Sequence, residues 1–191
     1  MAAKRKTPRK ESDIRRKVGI RPVKKSFLIV CEGLNTEPEY FNSFRLTSAN
    51  VKAVGKGLGT RTLVREAVSI RQEEQRKGKI YDYYWVVFDK DDFPENDFNT
   101  AIKEAEAEHF ILYHGPLHRN QYSEMLTKLT GMPYSKKAGV ASALYNLLFP
   151  KLDNAINNAE SVLQDFQGAP PAKSESATTV FKLARLLKSY I

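Results

Sequence analysis

The sequence predicts a mixed α/β domain in which a parallel-rich sheet carries helices on both faces. Short, fully apolar runs alternate with longer segments of helical periodicity, and this order is typical of strands joined by crossover helices. The 191 residues, of which 41% are hydrophobic, suit one domain with attached segments. We expect a disordered basic arm before the domain and a helical extension after it.

Composition divides the chain into three parts. Residues 1–25 form the basic arm, which contains two prolines and no apolar pattern and which we therefore expect to be disordered. Residues 26–167 form the α/β domain, with helices in its C-terminal part. Residues 168–191 form a linker and a terminal amphipathic helix that we expect to dock on the domain or on a partner.

The net charge of the chain resides in the arm. The arm holds eleven of the 31 Lys and Arg residues against two acidic residues, and so accounts for the whole formal charge of +9. Such a segment binds polyanions weakly and without sequence preference, by releasing counterions; a solubilising or assembly role is the alternative. The residues that we expect to contact nucleic acid are Lys4, Arg5, Lys6, Arg9, Lys10, Arg15, Arg16 and Lys17.

The first predicted strand runs from Phe27 to Cys31 and ends at Glu32. Five successive apolar residues between polar ends are typical of a strand that is buried on both faces. A helix start follows, with Asn35 or Thr36 as the cap and Pro38 in the first turn. Since open α/β sheets bind ligands at the carboxyl ends of their strands, Glu32 is a candidate for chemistry.

A second strand is predicted within residues 50–59, where it runs into a glycine-rich turn. The spacing of these glycines differs from that of a phosphate-binding loop, and we interpret them only as a turn. A helix capped by Thr60 follows, and Gly78 ends it after Lys77. Its inner face is apolar, and its outer face carries Arg61, Arg65, Arg71 and Arg76.

The third predicted strand, Tyr83–Phe88, completes a strand, helix, strand order that implies parallel pairing and a right-handed crossover. Asn96 or Asp97 caps a helix over Phe98–Glu108, and a short apolar strand over residues 109–113 follows. Further helices are predicted over Tyr122–Leu129, over Val140–Asp165, where Pro150 kinks or divides the helix, and over Ser176–Ile191. No run of eighteen apolar residues occurs, so we expect no membrane span and a cytoplasmic protein.

Carboxylates follow the third strand as they follow the first. Asp89 and Asp91 alternate along an extended chain and therefore lie on the same side of it. They repel each other unless a cation lies between them, and a hard divalent cation shared with Glu32 is the common solution. We therefore predict a site for a hard divalent cation at Glu32, Asp89 and Asp91, and interpret Asp92 and Glu39 as helix caps or surface charges.

Two other groups of side chains invite a metal-binding interpretation that we do not adopt. His114 and His118 flank Gly-Pro and cannot share a helix face, so we expect a phosphate contact by His118 or Arg119 rather than zinc. The single cysteine, Cys31, excludes an internal disulfide and a cysteine-based zinc site, and its position predicts a core residue.

Together the two acidic strand ends resemble the RloB-like family, whose fold is similar to Toprim. The similarity covers residues 26–107 and, more loosely, the C-terminal helices. One departure is visible, because a strand and turn of the form SNPxFExW is expected after the Phe98 helix, whereas this chain passes from Glu108-His109 directly to Phe110. The matching residues are Ile29-Val30-Cys31-Glu32-Gly33, Thr36-Glu37-Pro38, Tyr40-Phe41, Val86-Val87-Phe88-Asp89, Asp91, Phe98 and Ala101.

The resemblance implies a magnesium-dependent nuclease of a bacterial phage-defence (abortive infection) system that works with an ATPase partner encoded nearby. The metal ligands carried over by position are Glu32, Asp89 and Asp91, with Glu37 as a further ligand. Asp89 and Asp91 would hold the ion at the scissile phosphate, and Glu32 would act as general base or bind a second ion. Either DNA or RNA, including tRNA, fits as substrate, and no tyrosine lies in a strand-passage motif, which favours hydrolysis over topoisomerisation.

Two alternatives remain open at this stage. A nucleotidyl transferase or primase-like Toprim enzyme would use the same acids, but would need a nucleotide-binding loop that the sequence does not contain. A non-catalytic nucleic-acid-binding regulatory subunit would depend on the basic arm alone. The chain also has no Walker motif, so any ATP dependence would come from another chain.

Overall fold

A computed structural model describes residues 24–90, 93–113, 126–128, 130, 131, 133, 137, 139–174 and 177–191, with residues 111–113 described in their backbone only. The β-strands in this part of the chain are β1 (Lys25–Cys31), β2 (Ala49–Gly55), β3 (Tyr83–Val87) and β4 (Ile111–Tyr113). The α-helices described along their whole length are α1 (Thr36–Asn42), α2 (Thr60–Arg76), α3 (Glu95–Ala107), α4 (Val140–Leu148), α5 (Leu152–Asp165) and α6 (Val180–Lys188). Residues 126–128 and 130 are also helical.

The four strands form one parallel sheet in the order β2-β1-β3-β4. Helix α1 lies on one face of the sheet, and α2 and α3 lie on the other. The chain runs from β1 through α1 to β2 on one side of β1, and then from β2 through α2 to β3 on the other side of β1. The two crossovers run in opposite directions along the sheet and lie on opposite faces of it, so they have the same handedness. The predicted fold class, a parallel α/β sheet with helices on both faces, is confirmed and is consistent with a Toprim-like fold.

Strand β1 is the centre of the sheet, and its residues Phe27 to Cys31 are 0% exposed. Phe27, Ile29 and Cys31 pack on the side of α1, α4, α5 and α6. Leu28 and Val30 pack on the side of α2 and α3. Because successive side chains of a strand point to opposite faces, two separate cores require an unbroken apolar run. The predicted interpretation of this run as a doubly buried strand is confirmed.

Three predicted helix starts are wrong, and one of them is that of the terminal helix α6, which begins at Val180 and not at the predicted Ser176. Helix α2 begins at Thr60 itself, with Gly59 in the N-cap position, so Thr60 is not the cap. Helix α3 begins at Glu95 after Pro94, ahead of the predicted Phe98, and neither helix has a side-chain capping hydrogen bond. The extended backbone of Pro94, with ψ at 140°, ends the preceding loop, and the acidic first turn of α3 suits the positive end of a helix. The capping preferences of Asn96 and Asp97 were outweighed by this turn geometry.

Pro150 divides the long C-terminal helical segment, as its sequence predicts. Helix α4 ends at Leu148, a 3₁₀ turn covers Phe149–Lys151, and α5 begins at Leu152. A proline cannot donate the backbone hydrogen bond that a continuous helix requires, so the chain tightens at this point.

The terminal helix α6 packs against the α/β domain. Leu183 and Leu187 are 0% exposed and share a core with Phe27 of β1. Beyond the helix, the Tyr190 carbonyl accepts hydrogen bonds from the backbone N–H groups of Thr47 and Ser48, just before β2. The sequence left open whether this helix docks on the domain or on a partner, and the described contacts are with the domain.

Glu74 of α2 is a buried carboxylate with basic neighbours. Its side chain is 4% exposed, lies 3.0 Å from Lys52 Nζ and accepts a hydrogen bond of 2.9 Å from the Tyr81 hydroxyl. The hydrogen bonds from Lys52 and Tyr81 hold the pKa of Glu74 at about 2, well below its ordinary value. This contact joins α2 to the edge strand β2 and to the segment before β3.

We predict that Glu74→Gln lowers the Tm at neutral pH, because the amide leaves Lys52 without its counter-charge. The folded-state pKa is depressed, so the carboxylate stabilises the fold above the ordinary pKa of 4.5 and loses this effect as the pH falls toward about 2. The difference in Tm between wild type and variant should therefore shrink over that range. Thermal unfolding followed by circular dichroism at several pH values measures it.

Glu73→Gln is the matched control. Glu73 also contacts a lysine, with its carboxylate 2.7 Å from Lys77 Nζ, but its side chain is 60% exposed. Water and salt screen such a pair, so the loss of Tm should be clearly smaller than for Glu74→Gln. Equal losses in the two variants would contradict the role assigned to burial.

Candidate functional site

The candidate site lies where β1 and β3 end side by side. Cys31 pairs with Val87 in the parallel ladder, so Glu32 and the Phe88-Asp89 segment leave the sheet together. The chain connects β1 to β2 on one side, and β2 to β3 on the other, so the strand order reverses between β1 and β3. Open α/β sheets bind their ligands outside the carboxyl ends of the strands at such a point.

Backbone hydrogen bonds hold Glu32 between both neighbouring strands. Its N–H donates to the Val87 carbonyl at 2.8 Å, and its carbonyl accepts from the Gly57 N–H at 2.7 Å. The half-buried side chain accepts a hydrogen bond at Oε2 from the backbone N–H of Asp89, at 3.1 Å. The Glu32 carboxylate is therefore directed toward the start of the loop that carries the predicted aspartates.

Glu37 of α1 reaches the turn that follows Glu32. A Cβ added to Gly33 would lie 1.8 Å from Glu37 Oε2, so the carboxylate occupies the space that a side chain at position 33 would need. Burial raises the pKa of the Cys31 thiol well above its usual value, and the nearby charge of Glu37 adds to this effect. Cys31 is buried as predicted, and three of the predicted carboxylates, those of Glu32, Asp89 and Glu37, lie at one edge of the sheet.

The other predicted site residues lie outside the described part of the chain. These residues are Asp91, His118, Arg119, Lys4, Arg5, Lys6, Arg9, Lys10, Arg15, Arg16 and Lys17. Within the described part, no three His, Cys, Asp or Glu side chains are grouped closely enough to hold a metal ion. Glu32, Asp89 and Glu37 are described and do not form such a group by themselves, and Asp91 lies outside the described residues, so the complete metal site stays a prediction.

Glu39, which the sequence analysis interpreted as a cap or surface charge, has a structural role between two helices. Both of its carboxylate oxygens accept hydrogen bonds from the Gly139 N–H, at 2.9 and 2.8 Å. Gly139 is the N-cap of α4 and has a φ of 86°, a left-handed conformation that glycine adopts readily. This carboxylate therefore fastens the start of α4 to α1 and is not part of the acidic edge.

The glycine-rich turn after β2 completes the edge, a role that the sequence analysis did not assign to it. A Cβ on Gly55 would lie 2.2 Å from the Gly33 carbonyl oxygen, and one on Gly59 would lie 2.2 Å from Cζ of Phe93. The turn thus contacts both loops that carry the acidic residues. Three glycines at alternate positions directly after a predicted strand are the sequence signal for this close approach.

A cavity of about 380 Å³ opens beside the Phe93 loop. It lies between this loop and the first turns of α2, and its lining includes Arg61 and Arg65. The carboxyl edge of the sheet therefore has acidic side chains at the ends of β1 and β3 and basic side chains beyond the end of β2.

A comparison with protein families covers most of the chain. The model of the RloB-like protein family matches residues 27–187, a range that includes both acidic strand ends and nearly all of α6. The chain belongs to the RloB-like protein family. No curated protein and no solved structure matches it.

This RloB-like chain joins α3 to β4 by residues 108–110 alone. His109 has a φ of 59°, in the left-handed region, and the following Phe110 is buried beside Tyr84. The additional strand and turn expected from the resemblance does not lie between these two elements. The short connection places β4 directly after α3, as the fourth strand of the sheet.

We predict that Gly55→Ala destabilises the protein by about 1–3 kcal/mol, because the new methyl group meets backbone atoms of Gly33 and Leu34 that cannot move independently. Gly33→Ala is the comparison variant. Its methyl group meets only the end of the flexible Glu37 side chain, which can rotate away at a smaller cost. Denaturant unfolding of both variants measures the difference. A Gly33→Ala variant that loses as much stability as Gly55→Ala would contradict the assigned packing.

Proposed function

We propose that this RloB-like protein is a metal-dependent nuclease that hydrolyses phosphodiester bonds at the edge formed by Glu32, Asp89 and Asp91. The observation that carries the proposal is the hydrogen bond from the Asp89 N–H to the Glu32 carboxylate at the point of strand-order reversal. It brings the glutamate after the first strand next to the start of the Asp-x-Asp segment. The family resemblance implies the same arrangement of acids.

The side chains at this edge suit a hard divalent cation. Glu32, Asp89 and Glu37 offer carboxylate oxygens, which magnesium and manganese prefer. The neighbouring thiol of Cys31 is buried, and its raised pKa keeps it protonated, so it does not supply a soft ligand. When bound, such an ion supplies polarisation of the scissile phosphate and stabilisation of the leaving oxygen.

The protein's own residues divide the work in this proposal. Asp89 and Asp91 hold the ion, and Glu37 adds a further ligand. Glu32 accepts the proton of the attacking water, or contributes to a second ion site. Its backbone is hydrogen-bonded to both neighbouring strands, so the carboxylate starts from a fixed position and little ordering is needed before reaction.

The same proposal places the protein in a bacterial phage-defence system, in the cytoplasm, with an ATPase partner encoded nearby. Membership of the RloB-like family supports this placement, and since the sequence contains no Walker motif, any ATP dependence would come from another chain. The substrate is nucleic acid, either DNA or RNA. Within the described residues, no helix has both the length and the apolar character that crossing a membrane would require.

We predict that Asp89→Asn and Glu32→Gln each reduce cleavage of labelled DNA or RNA at least about 100-fold in magnesium or manganese. Wild-type Tm should rise with metal concentration by mass action, whereas Asp89→Asn should lose this response and Glu32→Gln should retain part of it. Both substitutions keep the shape of the side chain, and Gln still accepts the Asp89 N–H. Gel assays with and without the ATPase partner, together with thermal unfolding, measure these effects.

Glu106→Gln serves as the control for the removal of one negative charge. Glu106 is exposed on α3, outside the acidic edge, so cleavage and the metal response should be unchanged. A strongly destabilised Asp89→Asn variant, combined with a wild-type Tm that does not respond to metal, would contradict the nuclease proposal. The non-catalytic nucleic-acid-binding subunit would then be the better interpretation.

Deletion of residues 1–23 should weaken nucleic-acid binding at low salt and flatten its salt dependence. The deleted segment holds nine of the eleven basic residues of the arm, and each lost phosphate contact reduces the log-log salt slope by about 0.7–0.9. The fold should be retained, because β1 begins at Lys25, whose ammonium group pairs with Asp82 at 2.7 Å. Fluorescence anisotropy across a salt series measures binding; an unchanged affinity and slope would assign the arm another purpose.

A further inference from the structure

The cavity beside Phe93 combines two arginines with the carboxylate of Asp97, close to the proposed catalytic edge. Its walls come from the end of the glycine-rich turn, from the first turns of α2, and from the loop that continues from Asp89 into α3. The side chains that give it its chemical character are Thr62, Arg61, Arg65, Phe93 and Asp97. A volume of about 380 Å³ is enough for one nucleotide unit and is within the range of small-ligand sites.

The two arginines of the cavity differ in how far their charge is already balanced. Arg61 Nε and Nη2 donate to Glu104 Oε1 at 3.1 and 2.5 Å, and Asp97 adds a further attraction that raises the pKa of Arg61. Arg65 is exposed and forms no salt bridge within the described residues, although its charge, after the hydrogen bond from Arg61, also helps to lower the pKa of Glu104. Two like charges four residues apart on a helix repel each other. Of the two arginines, Arg65 is therefore the one without a hydrogen-bonded carboxylate, and an anion bound to it would reduce the repulsion between the two guanidinium groups.

Phe93 gives the cavity an apolar wall on the side of the acidic loop. The tip of its ring faces Gly59, where any larger residue would collide with it, so the ring is held against the glycine-rich turn. The Phe93 N–H also donates to the carbonyl of Lys90, the residue after Asp89, at 3.2 Å. An anion bound by Arg65 in this cavity would therefore lie beside the segment that carries Asp89.

We propose that this cavity binds a phosphodiester of the substrate strand next to the one that is cut, with the Arg65 guanidinium as its principal ligand and Phe93 beside the attached nucleoside. This inference rests on the proposed nuclease function, which identifies the strand as nucleic acid. A planar guanidinium offers two parallel donors that match phosphate oxygens. An aromatic wall next to it suits a base or sugar, whose faces are apolar.

The test compares Arg65→Ala with Arg76→Ala in the full chain. Both arginines are exposed on α2, but Arg76 is the last residue of the helix and lies away from the cavity. Anisotropy of a labelled single-stranded oligonucleotide, as DNA and as RNA, is measured across a salt series in the presence of a chelator. Because no metal is present, binding is measured without cleavage. The basic arm is identical in both variants and does not affect their comparison.

Arg65→Ala should raise the Kd about tenfold and lower the log-log salt slope by about 0.7–0.9, as expected for the loss of one charged phosphate contact. Arg76→Ala should change the Kd less than about twofold. Equal effects in both variants, or no detectable binding by the wild type, would overturn the proposal. These readouts need no catalysis, so an inactive enzyme that still shows the Arg65 effect would refute the nuclease proposal and leave the phosphate site in place.

A free nucleotide carries the same phosphate chemistry, and a second titration distinguishes the two sources. Adenosine triphosphate, labelled on the base, is titrated against wild type and Arg65→Ala in the same buffer. We expect its affinity to be lower than that of the oligonucleotide, since it has no neighbouring phosphodiesters to contact the arm or the edge. An Arg65→Ala variant that loses nucleotide binding but keeps oligonucleotide binding would overturn the assignment to a nucleic-acid strand.

Discussion

The pairing of β1 with a parallel strand on each side is the constraint on which the rest of the structure depends. A central strand that is buried on both faces must find all its backbone partners in its neighbours, because water does not reach it. The hydrogen-bonded ladder continues past Cys31, the last residue of β1. The Glu32 N–H donates to the Val87 carbonyl, and the Glu32 carbonyl accepts from the Gly57 N–H. The same hydrogen bonds that complete the sheet therefore also set the position of the proposed catalytic glutamate.

Glycine makes the convergence at this edge sterically possible. Three loops leave the sheet next to each other, and at Gly33, Gly55 and Gly59 the approaching group occupies the space of a side chain. At Gly33 this group is the Glu37 carboxylate, at Gly55 the backbone of residues 33 and 34, and at Gly59 the Phe93 ring. A larger residue at Gly55 would push the loops apart, whereas one at Gly33 would displace the Glu37 carboxylate and one at Gly59 would displace the Phe93 ring. These glycines lower the stability of the folded state, because glycine loses more conformational entropy on folding than other residues do.

Several charged side chains of the described domain are joined in ion pairs between neighbouring elements. On α2, Arg61 and Arg71 contact Glu104 and Glu108 of α3, so two arginines that the sequence assigned to an outer face join neighbouring helices. Arg71 is the clearer case, since its side chain is 18% exposed and its guanidinium lies over the rings of Tyr84 and Phe110. Because the arm holds the whole formal charge of +9, the attraction for polyanions that we propose rests mainly on the arm, and the proposed role of the sheet edge rests on its geometry.

The sequence by itself determined the strands, their parallel order and the nature of the acidic ends. A short, unbroken apolar run between polar residues favours a strand that is covered on both faces. Pro150 prevents a continuous helix over residues 140–165. Helix starts were harder to predict, because Thr60 and Asn96 are good caps in isolation, whereas the observed starts depend on Gly59 and Pro94 and on the loops that these residues close. The tertiary structure alone decided that Glu32 accepts the Asp89 N–H, that Glu37 fills the space above Gly33, and that Arg65 and Phe93 share a cavity. The first and the third of these contacts join residues that are 57 and 28 positions apart and depend on long-range packing that no local pattern records, whereas Glu37 and Gly33 are close in the chain and their contact depends on the path of the turn between them.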